Sequence, residues 1–309
     1  MKKRHRILKT LPIVAFTTFL LVGLGIRTNA AVAGVEHVVI IGCDGMSPNG
    51  VLKAKTPVMH QLMKDGAYTL HARGVMPTSS SPNWASMIMG AGPEQHGITS
   101  NDWQTNKFDI APTAVGSGGI FPTIFGLLRE QKPGSIIACF HDWNDFGRLF
   151  ERKAADVIED SDGPTNAAHH AIAYIKERKP TFTFIHFDHV DHVGHEIGHG
   201  TPAYFASVEV ADKLIGEVIQ GSKDAGIWKK TILIITADHG GVNKGHGAAT
   251  MAEIEIPWII AGPGVAAGKE IKKPVNTYDT ALTVAYIFGL QPPEAWIGKP
   301  VTDAFQATR

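Results

Sequence analysis

The alternation of short apolar runs with amphipathic stretches is the feature that most restricts how this chain can fold. Each apolar run is five or six residues long and rich in Val, Ile or Phe, which is typical of strands buried on both faces. The runs lie at 37–42, 135–140, 182–187, 231–236 and 257–261. The amphipathic stretches lie at 56–65, 120–131, 166–178, 203–220 and 278–288. This order predicts an α/β domain of three layers, with helices on both faces of a mainly parallel central sheet.

Acidic and histidine side chains come soon after three of the predicted strands. Asp44 stands two residues beyond the first strand. Asp188 and Asp191 follow the third strand, and Asp238 and His239 follow the fourth. Open α/β sheets bind their ligands beyond the carboxyl ends of the strands. We therefore expect these side chains to meet at one edge of the sheet, although almost 200 residues separate the first from the last.

The segment that contains Asp191 and His195 has the residue types of a metal site. The two residues are four positions apart, so they can face one point, and a carboxylate with an imidazole is a common ligand set for zinc. The same stretch also contains His186, His189 and His199. A solvated histidine-rich loop is therefore the alternative interpretation.

The adjacent Asp238 and His239 are difficult to explain by packing, because a buried unpaired carboxylate is costly. Two glycines follow them and indicate a tight turn, and His246 stands five residues after the second glycine. This pattern predicts a turn that is lined with metal ligands. Asp44, which precedes a glycine, would by itself be an ordinary turn or helix-cap residue.

A run of hydroxyl side chains at 78–81 precedes a helical pattern at 84–89. By itself, such a run is most simply a helix N-cap. The functional alternative is a nucleophilic hydroxyl at a helix N-terminus, where backbone N–H groups favour an arriving phosphate. Together with the predicted ligands, one hydroxyl would complete a site for two metal ions.

These motifs together resemble those of the alkaline phosphatase superfamily, and within it those of the type I phosphodiesterase/nucleotide pyrophosphatase group with its phosphonoacetate-hydrolase-like relatives. The resemblance covers nearly the whole chain after residue 33. It includes the pattern G-x-x-P-E-x-H-G-I at 90–98 and a Ser that is separated by one residue from a Pro-Asn pair. The resemblance implies an alkaline-phosphatase-like fold and the hydrolysis of phosphate esters with two divalent metal ions.

By the same resemblance, Ser80 is the nucleophile that forms a phosphoseryl intermediate, and Asn83 binds a non-bridging phosphate oxygen. One metal ion, which Ser80 also faces, would be held by Asp44, Asp238 and His239. The other would be held by Asp191, His195 and His246. We expect zinc from this mixture of ligands, although manganese or iron would also suit it.

Two departures limit what the resemblance implies. Trp84 follows Asn83, where many nucleotide pyrophosphatases carry His, so nucleotide specificity is not carried over. The Cys-x-Pro-x-Arg signature of sulfatases is absent from the sequence, which argues against the branch that depends on formylglycine. Trp84 and Trp103 could stack on an aromatic leaving group, or they could be packing residues.

The charge of the substrate is harder to predict. A monoester carries two negative charges and usually requires an Arg or Lys beside the metals, whereas a diester carries one. No Arg stands close to Asn83 in the sequence, which favours a phosphodiester. Lys244 could serve a monoester or could be a solvated loop residue. Phosphomonoesterase or phosphonate hydrolase activity at the same site is the alternative, and a non-catalytic secreted metal-binding domain is a more distant one.

The first 33 residues have the features of a secretory signal peptide. A basic start precedes a nearly unbroken apolar run at 11–26, and small residues follow at Ala30, Ala31 and Ala33. An uncleaved anchor is the alternative, but the run is a little shorter than the ~20 residues that span a bilayer. We expect residues 1–33 to be removed and residues 34–309 to form one catalytic domain, periplasmic or extracellular, without stable membrane insertion.

Charge and cysteine content narrow the expected partners. The segment 1–33 holds six of the 29 Lys and Arg residues and none of the 29 acidic ones, which leaves 23 basic against 29 acidic groups. Such a chain is a poor binder of duplex nucleic acid, and a small phosphate ester is the expected partner. Cys43 and Cys139 are expected to be buried hydrophobes rather than a disulfide. The sequence does not indicate an oligomeric state.

Overall fold

A computed structural model describes residues 31–105 and 107–306 of the chain. Residues 1–30, which make up most of the predicted signal peptide, lie outside this part. Within it, eight strands form one sheet. The strands are β1 (His37–Cys43), β2 (Ala67–Arg73), β3 (Ile137–His141), β4 (Val157–Asp160), β5 (Phe182–Phe187), β6 (Thr231–Thr236), β7 (Glu255–Ala261) and β8 (Lys269–Glu270).

The α-helices of the described chain pack in two groups on the sheet. The helices are α1 (Pro48–Lys53), α2 (Pro57–Asp65), α3 (Ser80–Met89), α4 (Pro93–His96), α5 (Ile124–Gln131), α6 (Gly163–Arg178), α7 (His189–Glu196), α8 (Pro202–Asp224), α9 (Met251–Ile254) and α10 (Asp279–Phe288). The long helix α8 contacts α2, α6 and α7, while α3, α5 and α10 contact one another. The two groups form the outer layers of the three-layer α/β fold that the sequence predicts.

The strand order in the sheet is β4-β3-β5-β1-β6-β7-β2-β8. β1 lies near the middle and pairs in parallel with both β5 and β6. All seven residues of β1 are buried, as expected for a strand with helices on both faces. β7 runs antiparallel to both of its neighbours, a reversal that the apolar pattern of the sequence does not reveal.

The structure adds elements that the apolar pattern does not predict. β2 alternates between buried and partly exposed positions, β4 is only partly buried, and β8 has two exposed residues. Such strands lack the continuous apolar run that marks a central strand. The histidine-rich segment after β5 forms helix α7 rather than a loop, so residues four positions apart lie on one helix face.

The topology places the carboxyl ends of β5, β1 and β6 side by side. Asp44 follows β1 directly, and its backbone N–H donates to the carbonyl of Phe187 at the end of β5, at 2.8 Å. Cys43 and Cys139 are buried and unbridged, as expected. Among the described residues, no helix combines the length and the apolar content that a membrane crossing requires.

Candidate metal centre and nucleophile

Seven residues that the sequence predicts as metal ligands meet where the central parallel strands end. They are Asp44, Ser80, Asp191, His195, Asp238, His239 and His246. They come from the ends of β1 and β6, from the start of α3, from α7 and from the loop after β6. The expectation that these side chains converge on one edge of the sheet agrees with this placement.

The first cluster consists of Asp44, Asp238 and His239, which are all buried. Nε2 of His239 lies 3.3 Å from Oδ1 of Asp44 and 3.2 Å from Oδ2 of Asp238. The other oxygen of each of these two carboxylates already accepts hydrogen bonds. Oδ2 of Asp44 accepts from the indole of Trp84, and Oδ1 of Asp238 accepts from the backbone N–H groups of Gly45 and His239. Among the residues that the structure describes, Oδ1 of Asp44 and Oδ2 of Asp238 have no hydrogen-bond partner, so both are available to bind a cation.

The second cluster consists of Asp191, His195 and His246. Oδ2 of Asp191 lies 3.0 Å from Nε2 of His195 and 3.6 Å from Nε2 of His246, and the two imidazole nitrogens are 3.1 Å apart. Helix α7 brings Asp191 and His195 together because they are one turn apart. The ring of His246 stacks on that of His239 with 3.8 Å between centroids, so the two clusters adjoin.

The three imidazoles are oriented by the backbone. Nδ1–H of His195 donates to the carbonyl of Lys244 at 2.9 Å, and Nδ1–H of His246 donates to that of Thr78 at 2.8 Å. Nδ1–H of His239 donates to the carbonyl of Gly240, also at 2.8 Å. A hydrogen bond at Nδ1 fixes the tautomer that leaves a lone pair on Nε2. All three Nε2 atoms point into the site, which is the arrangement that metal-binding histidines adopt.

Asp238 and Asp188 carry negative charge that the protein itself does not fully neutralise. Burial and the neighbouring charge of Asp44 raise the pKa of Asp238 well above its ordinary value. Burial and Asp44 also raise the pKa of Asp188, to about 7. Buried carboxylates are stable only when a counter-charge or hydrogen bonds compensate them. The free oxygen and nitrogen donors of the two clusters therefore fit a pair of divalent cations.

A glycine allows the two clusters to come this close. Gly45 follows Asp44 and has a φ of +66°, and a Cβ at this position would lie 2.6 Å from Oδ1 of Asp191. A side chain would therefore clash with a predicted ligand of the second cluster, and the backbone conformation would also be strained. This explains why the Asp44 turn carries glycine, which the sequence alone attributes to an ordinary turn.

Ser80 is the hydroxyl of the 78–81 run that faces the metal ligands. It is the first residue of α3, and its Oγ lies 3.3 Å from Nε2 of His239. The hydroxyl of Thr78 instead donates to the carbonyl of Ala248 and to Glu253. The hydroxyl of Ser81 faces Arg148 at 3.5 Å. Ser80 therefore combines a position beside the ligands with the N-terminus of a ten-residue helix, where the helix dipole favours negative charge.

The structure contradicts the predicted substrate contact of Asn83. Its side-chain amide donates to the carbonyls of Pro77 and Ser79, and its Oδ1 accepts from the N–H of Val75 at 2.6 Å. The residue is fully buried. Its backbone N–H also donates to the carbonyl of Ser79, at 3.2 Å. Since all these donors are engaged, Asn83 braces the segment that leads to Ser80 and has no free donor for a phosphate oxygen.

Substrate stacking on Trp84 or Trp103 is also contradicted, because both side chains are buried. Trp84 packs edge-on against Phe184 and His186, and its indole N–H donates to Asp44. Trp103 packs against Phe108. The packing alternative therefore holds for both residues. Lys244 is exposed, and its ammonium group donates to the carbonyl of Glu196 at the end of α7 rather than facing Ser80.

Two residues outside the predicted site, Asn101 and Arg148, contact the start of α3. Oδ1 of Asn101 accepts from the N–H of Ser81 at 2.8 Å. Nη2 of Arg148 donates to the carbonyl of Asn101 at 2.5 Å and lies 3.5 Å from Oγ of Ser81. Asn101 follows the 90–98 motif closely, which could have indicated it. Arg148 is distant from Asn83 in the sequence, but in the fold its guanidinium contacts Ser81 at the start of the nucleophile helix.

Comparison with known proteins agrees with this geometry. Residues 38–117 and 131–254 match the family model described as type I phosphodiesterase/nucleotide pyrophosphatase. The chain is 23% identical over 247 residues to human ectonucleotide pyrophosphatase/phosphodiesterase family member 5, covering 72% of this chain and 49% of that protein. It is 25% identical over 205 residues to venom phosphodiesterase 2 of Crotalus adamanteus, covering 60% of this chain and 24% of that protein. The chain thus spans half or less of these relatives.

Solved structures share the fold. Human ectonucleotide pyrophosphatase/phosphodiesterase 5 superposes with a TM-score of 0.73 at 16% identity, covering 88% of this chain and all of that one. A mutant of the alkaline phosphatase PafA superposes with the same TM-score at 11% identity, covering 90% of this chain. At these identities the likeness concerns the fold alone, and it confirms the alkaline-phosphatase-like architecture that the sequence resemblance implies.

Proposed function

This chain belongs to the type I phosphodiesterase/nucleotide pyrophosphatase family, and from that premise we propose that it hydrolyses phosphate esters with Ser80 and two divalent metal ions. The observation that carries the proposal is the position of Ser80. Its Oγ lies 3.3 Å from a predicted metal ligand, His239, at the N-terminus of α3. A nucleophile, a helix dipole and two sets of donors thereby meet at one point.

The residues that would hold the ions are the two clusters. Asp44, Asp238 and His239 would hold the ion beside Ser80, and Asp191, His195 and His246 would hold the other. When bound, such ions lower the pKa of a nearby hydroxyl and stabilise the charge that develops on the attacking and leaving oxygens. The unpartnered oxygens of Asp44 and Asp238 and the three backbone-oriented imidazoles support this assignment.

The reaction proceeds in two displacements. Oγ of Ser80 gives its proton to solvent and attacks phosphorus, while the bond from phosphorus to the leaving oxygen breaks and that oxygen takes up a proton from water. Water then attacks the phosphoseryl group, the bond from phosphorus to Oγ breaks, and Oγ regains a proton. The amide N–H₂ of Asn101, which has no hydrogen bond within the described part of the chain, takes the role that the sequence resemblance gave to Asn83. Asn101 lies over the first turn of α3, where its Oδ1 accepts from the N–H of Ser81.

Phosphodiesters are the first substrate candidates, because the family and the named relatives are phosphodiesterases and nucleotide pyrophosphatases. Phosphomonoesters are the second, favoured by Arg148 beside the nucleophile helix. Zinc fits the carboxylate and imidazole ligands of the two clusters. The signal-peptide features of residues 1–33 support export of the protein to the periplasm or the medium.

The test is Ser80→Ala assayed with bis-p-nitrophenyl phosphate and p-nitrophenyl phosphate. We expect turnover to fall by at least about a thousandfold while both metal ions remain bound, measured by elemental analysis. Ser79→Ala is the matched control, because Ser79 precedes the helix and has no side-chain cap bond. Activity of Ser80→Ala near the wild-type value would refute the proposed nucleophile.

A further inference from the structure

His199 is a histidine of the segment after β5 that neither proposed ligand set uses. It follows the end of α7, and its side chain is only 3% exposed. Within the described part of the chain, neither Nδ1 nor Nε2 of this ring has a hydrogen-bond partner. Buried polar groups are rarely left without a partner, because their desolvation is then uncompensated. The position of this ring therefore requires an explanation.

Nε2 of His199 faces a proposed metal ligand. It lies 3.5 Å from Oδ1 of Asp191, and this oxygen is also buried without a hydrogen-bond partner among the described residues. An imidazole N–H and a carboxylate oxygen, which have complementary chemistry, thus face each other. An ordinary hydrogen bond of this kind is about 2.9 Å long, so a relative movement of about 0.6 Å would complete it.

The two oxygens of Asp191 have different surroundings. Oδ2 lies 3.0 Å from Nε2 of His195 and 3.6 Å from Nε2 of His246, which are the other members of the second cluster. Oδ1 faces His199 and the turn at Gly45. In metal sites, a ligand is commonly oriented by a hydrogen bond at the atom that does not bind the ion. His199 has the position for this role.

The chain is shaped to hold the His199 ring. A Cβ on Gly194 or on Gly241 would lie 2.3 Å from atoms of the imidazole, so only glycine leaves room for the ring on these two sides. Gly194 belongs to α7 and Gly241 to the loop after β6, and both segments carry proposed ligands. The backbone N–H of His199 donates to the carbonyl of Asn243 in the same loop, at 2.6 Å. The ring is therefore fixed between the two ligand-bearing segments.

A packing role is the alternative for a buried ring. His199 borders a cavity of about 300 Å³ that Phe205 and Met251 also line, and its ring centroid lies 5.2 Å from that of Tyr204. An apolar side chain of similar volume would fill such surroundings equally well. The imidazole adds one property that an apolar side chain lacks, which is an N–H beside Asp191.

We propose that His199 is a positioning residue of the metal centre, whose Nε2–H holds Oδ1 of Asp191 and keeps Oδ2 directed at the ion of the second cluster. This inference rests on the proposed function, because it requires that the second cluster binds a cation. His199 does not bind the ion itself. It favours binding because Asp191 is already oriented when the ion arrives.

The experiment compares wild type, His199→Leu and His199→Gln by titrating zinc into the metal-free protein in competition with a chromophoric chelator. Leu and Gln have similar volumes, but only the Gln amide can donate a hydrogen bond to Asp191. We expect His199→Leu to weaken one of two zinc sites about 10- to 100-fold and the other by less than about threefold. His199→Gln should recover at least about half of this loss on a logarithmic scale.

Asp191→Ala identifies the affected site. The carboxylate is the group through which His199 acts, so in this background His199→Leu should change no remaining zinc affinity by more than about threefold. His189→Leu is the matched control, because His189 lies on the same helix but its Nε2 donates to the carbonyl of Ser207, at 2.9 Å, instead of facing a ligand. It should leave both zinc affinities within about twofold of wild type.

The melting temperature of the metal-free protein separates positioning from packing. Metal-free His199→Leu should melt no more than about 3 °C below wild type, because Leu fills the same space and removes two buried nitrogens that have no partner in the described chain. A larger fall would make His199 a packing residue and would overturn the inference.

The zinc titrations decide the rest. Equal affinities of wild type and His199→Leu would overturn the inference, and so would equal losses in His199→Leu and His199→Gln, since the N–H would then not be the acting group. These results leave the proposed function intact, because the wild-type protein still binds two ions. Failure of the wild-type protein to bind a second zinc ion overturns the proposed two-metal function, and the inference with it.

Discussion

His186 and Asp44 form a buried ion pair beneath the metal-ligand clusters, with Nε2 of the imidazole 3.4 Å from Oδ2 of the carboxylate. On the other side of the ring, Nδ1 lies 3.2 Å from Oδ1 of Asp142. Burial alone would lower the pKa of His186, but the contacts with Asp142 and Asp44 outweigh it and raise the pKa to about 9. A positive charge therefore lies behind a proposed metal ligand and between two buried carboxylates.

We expect His186→Leu to destabilise the metal-free protein by about 3–5 kcal/mol, because without metal it leaves Asp44 and Asp142 buried without a counter-charge. Metal affinity should fall about 10- to 100-fold, as for other residues that orient a ligand. Urea denaturation and a competitive metal titration measure the two effects. His170→Leu is the control, since His170 pairs with Glu159 on the surface and should change stability by no more than about 1 kcal/mol. Similar small effects of both substitutions would contradict the role of His186.

Trp84→Phe tests whether Trp84 supports the proposed metal ligand Asp44 through a hydrogen bond rather than stacking on the substrate. The substitution keeps an aromatic ring against Phe184 and His186 but removes the indole N–H that donates to Asp44 at 3.0 Å. We expect a loss of stability of about 1–3 kcal/mol and a lower kcat. The ratio of KM for aryl and alkyl esters should not change, because the ring is fully buried. A selective rise in KM for aryl esters would restore the stacking hypothesis.

The sequence predicts the central strands and the ligand positions because both leave local patterns. A strand covered on both faces, such as β1 or β6, must be apolar throughout, and a ligand at its carboxyl end is the first polar residue after it. The strands β2, β4 and β8 lack that constraint and were not predicted. The positions of the residues around the ligands depend on which distant segments pack together. The predicted phosphate contact of Asn83 is wrong, and of the two roles open to Trp84 the packing role is correct; only the folded chain shows Val75 beside Asn83 and Asp44 beside Trp84.

The effect of Asp238→Asn on the melting temperature should change sign when metal is removed. The raised pKa of Asp238 means that its charge destabilises the folded protein when no cation compensates it. The amide of Asn can still accept from the N–H groups of Gly45 and His239. With chelator at pH 8, Asp238→Asn should therefore melt at least about 2 °C above wild type. With zinc it should melt below wild type, because a ligand is lost.

Differential scanning calorimetry with and without chelator shows directly whether Asp238→Asn melts above or below wild type. Asp65→Asn is the control, because Asp65 lies on the surface at the end of α2 and should shift both melting temperatures equally. If Asp238→Asn melts below wild type under both conditions, Asp238 is a structural carboxylate rather than a metal ligand.

His96 makes the stability of the fold depend on pH at a distance from the metal ligands. It is buried in the G-x-x-P-E-x-H-G-I segment, where Nδ1 accepts from the N–H of Ile98 and Nε2 contacts the hydroxyl of Ser86, each at 3.0 Å. Burial lowers its pKa from 6.5 to about 3. A proton on Nδ1 would also break the bond from Ile98, so the folded state keeps the ring neutral.

The lowered pKa of His96 determines whether acidification stabilises or destabilises the fold. Below pH 6.5 the unfolded chain binds a proton at His96 and the folded chain does not, so stability falls as the pH decreases from 6.5 toward 3. His96→Gln removes this contribution. At pH 7.5 the variant should be less stable than wild type by about 1–3 kcal/mol, and at pH 5 the gap should narrow by about 2 kcal/mol. Urea denaturation of both proteins at both pH values measures the difference, in which shared effects of metal loss largely cancel. A gap that stays constant or widens on acidification would mean that His96 is protonated in the fold, and then Nδ1 could not accept the hydrogen bond from Ile98.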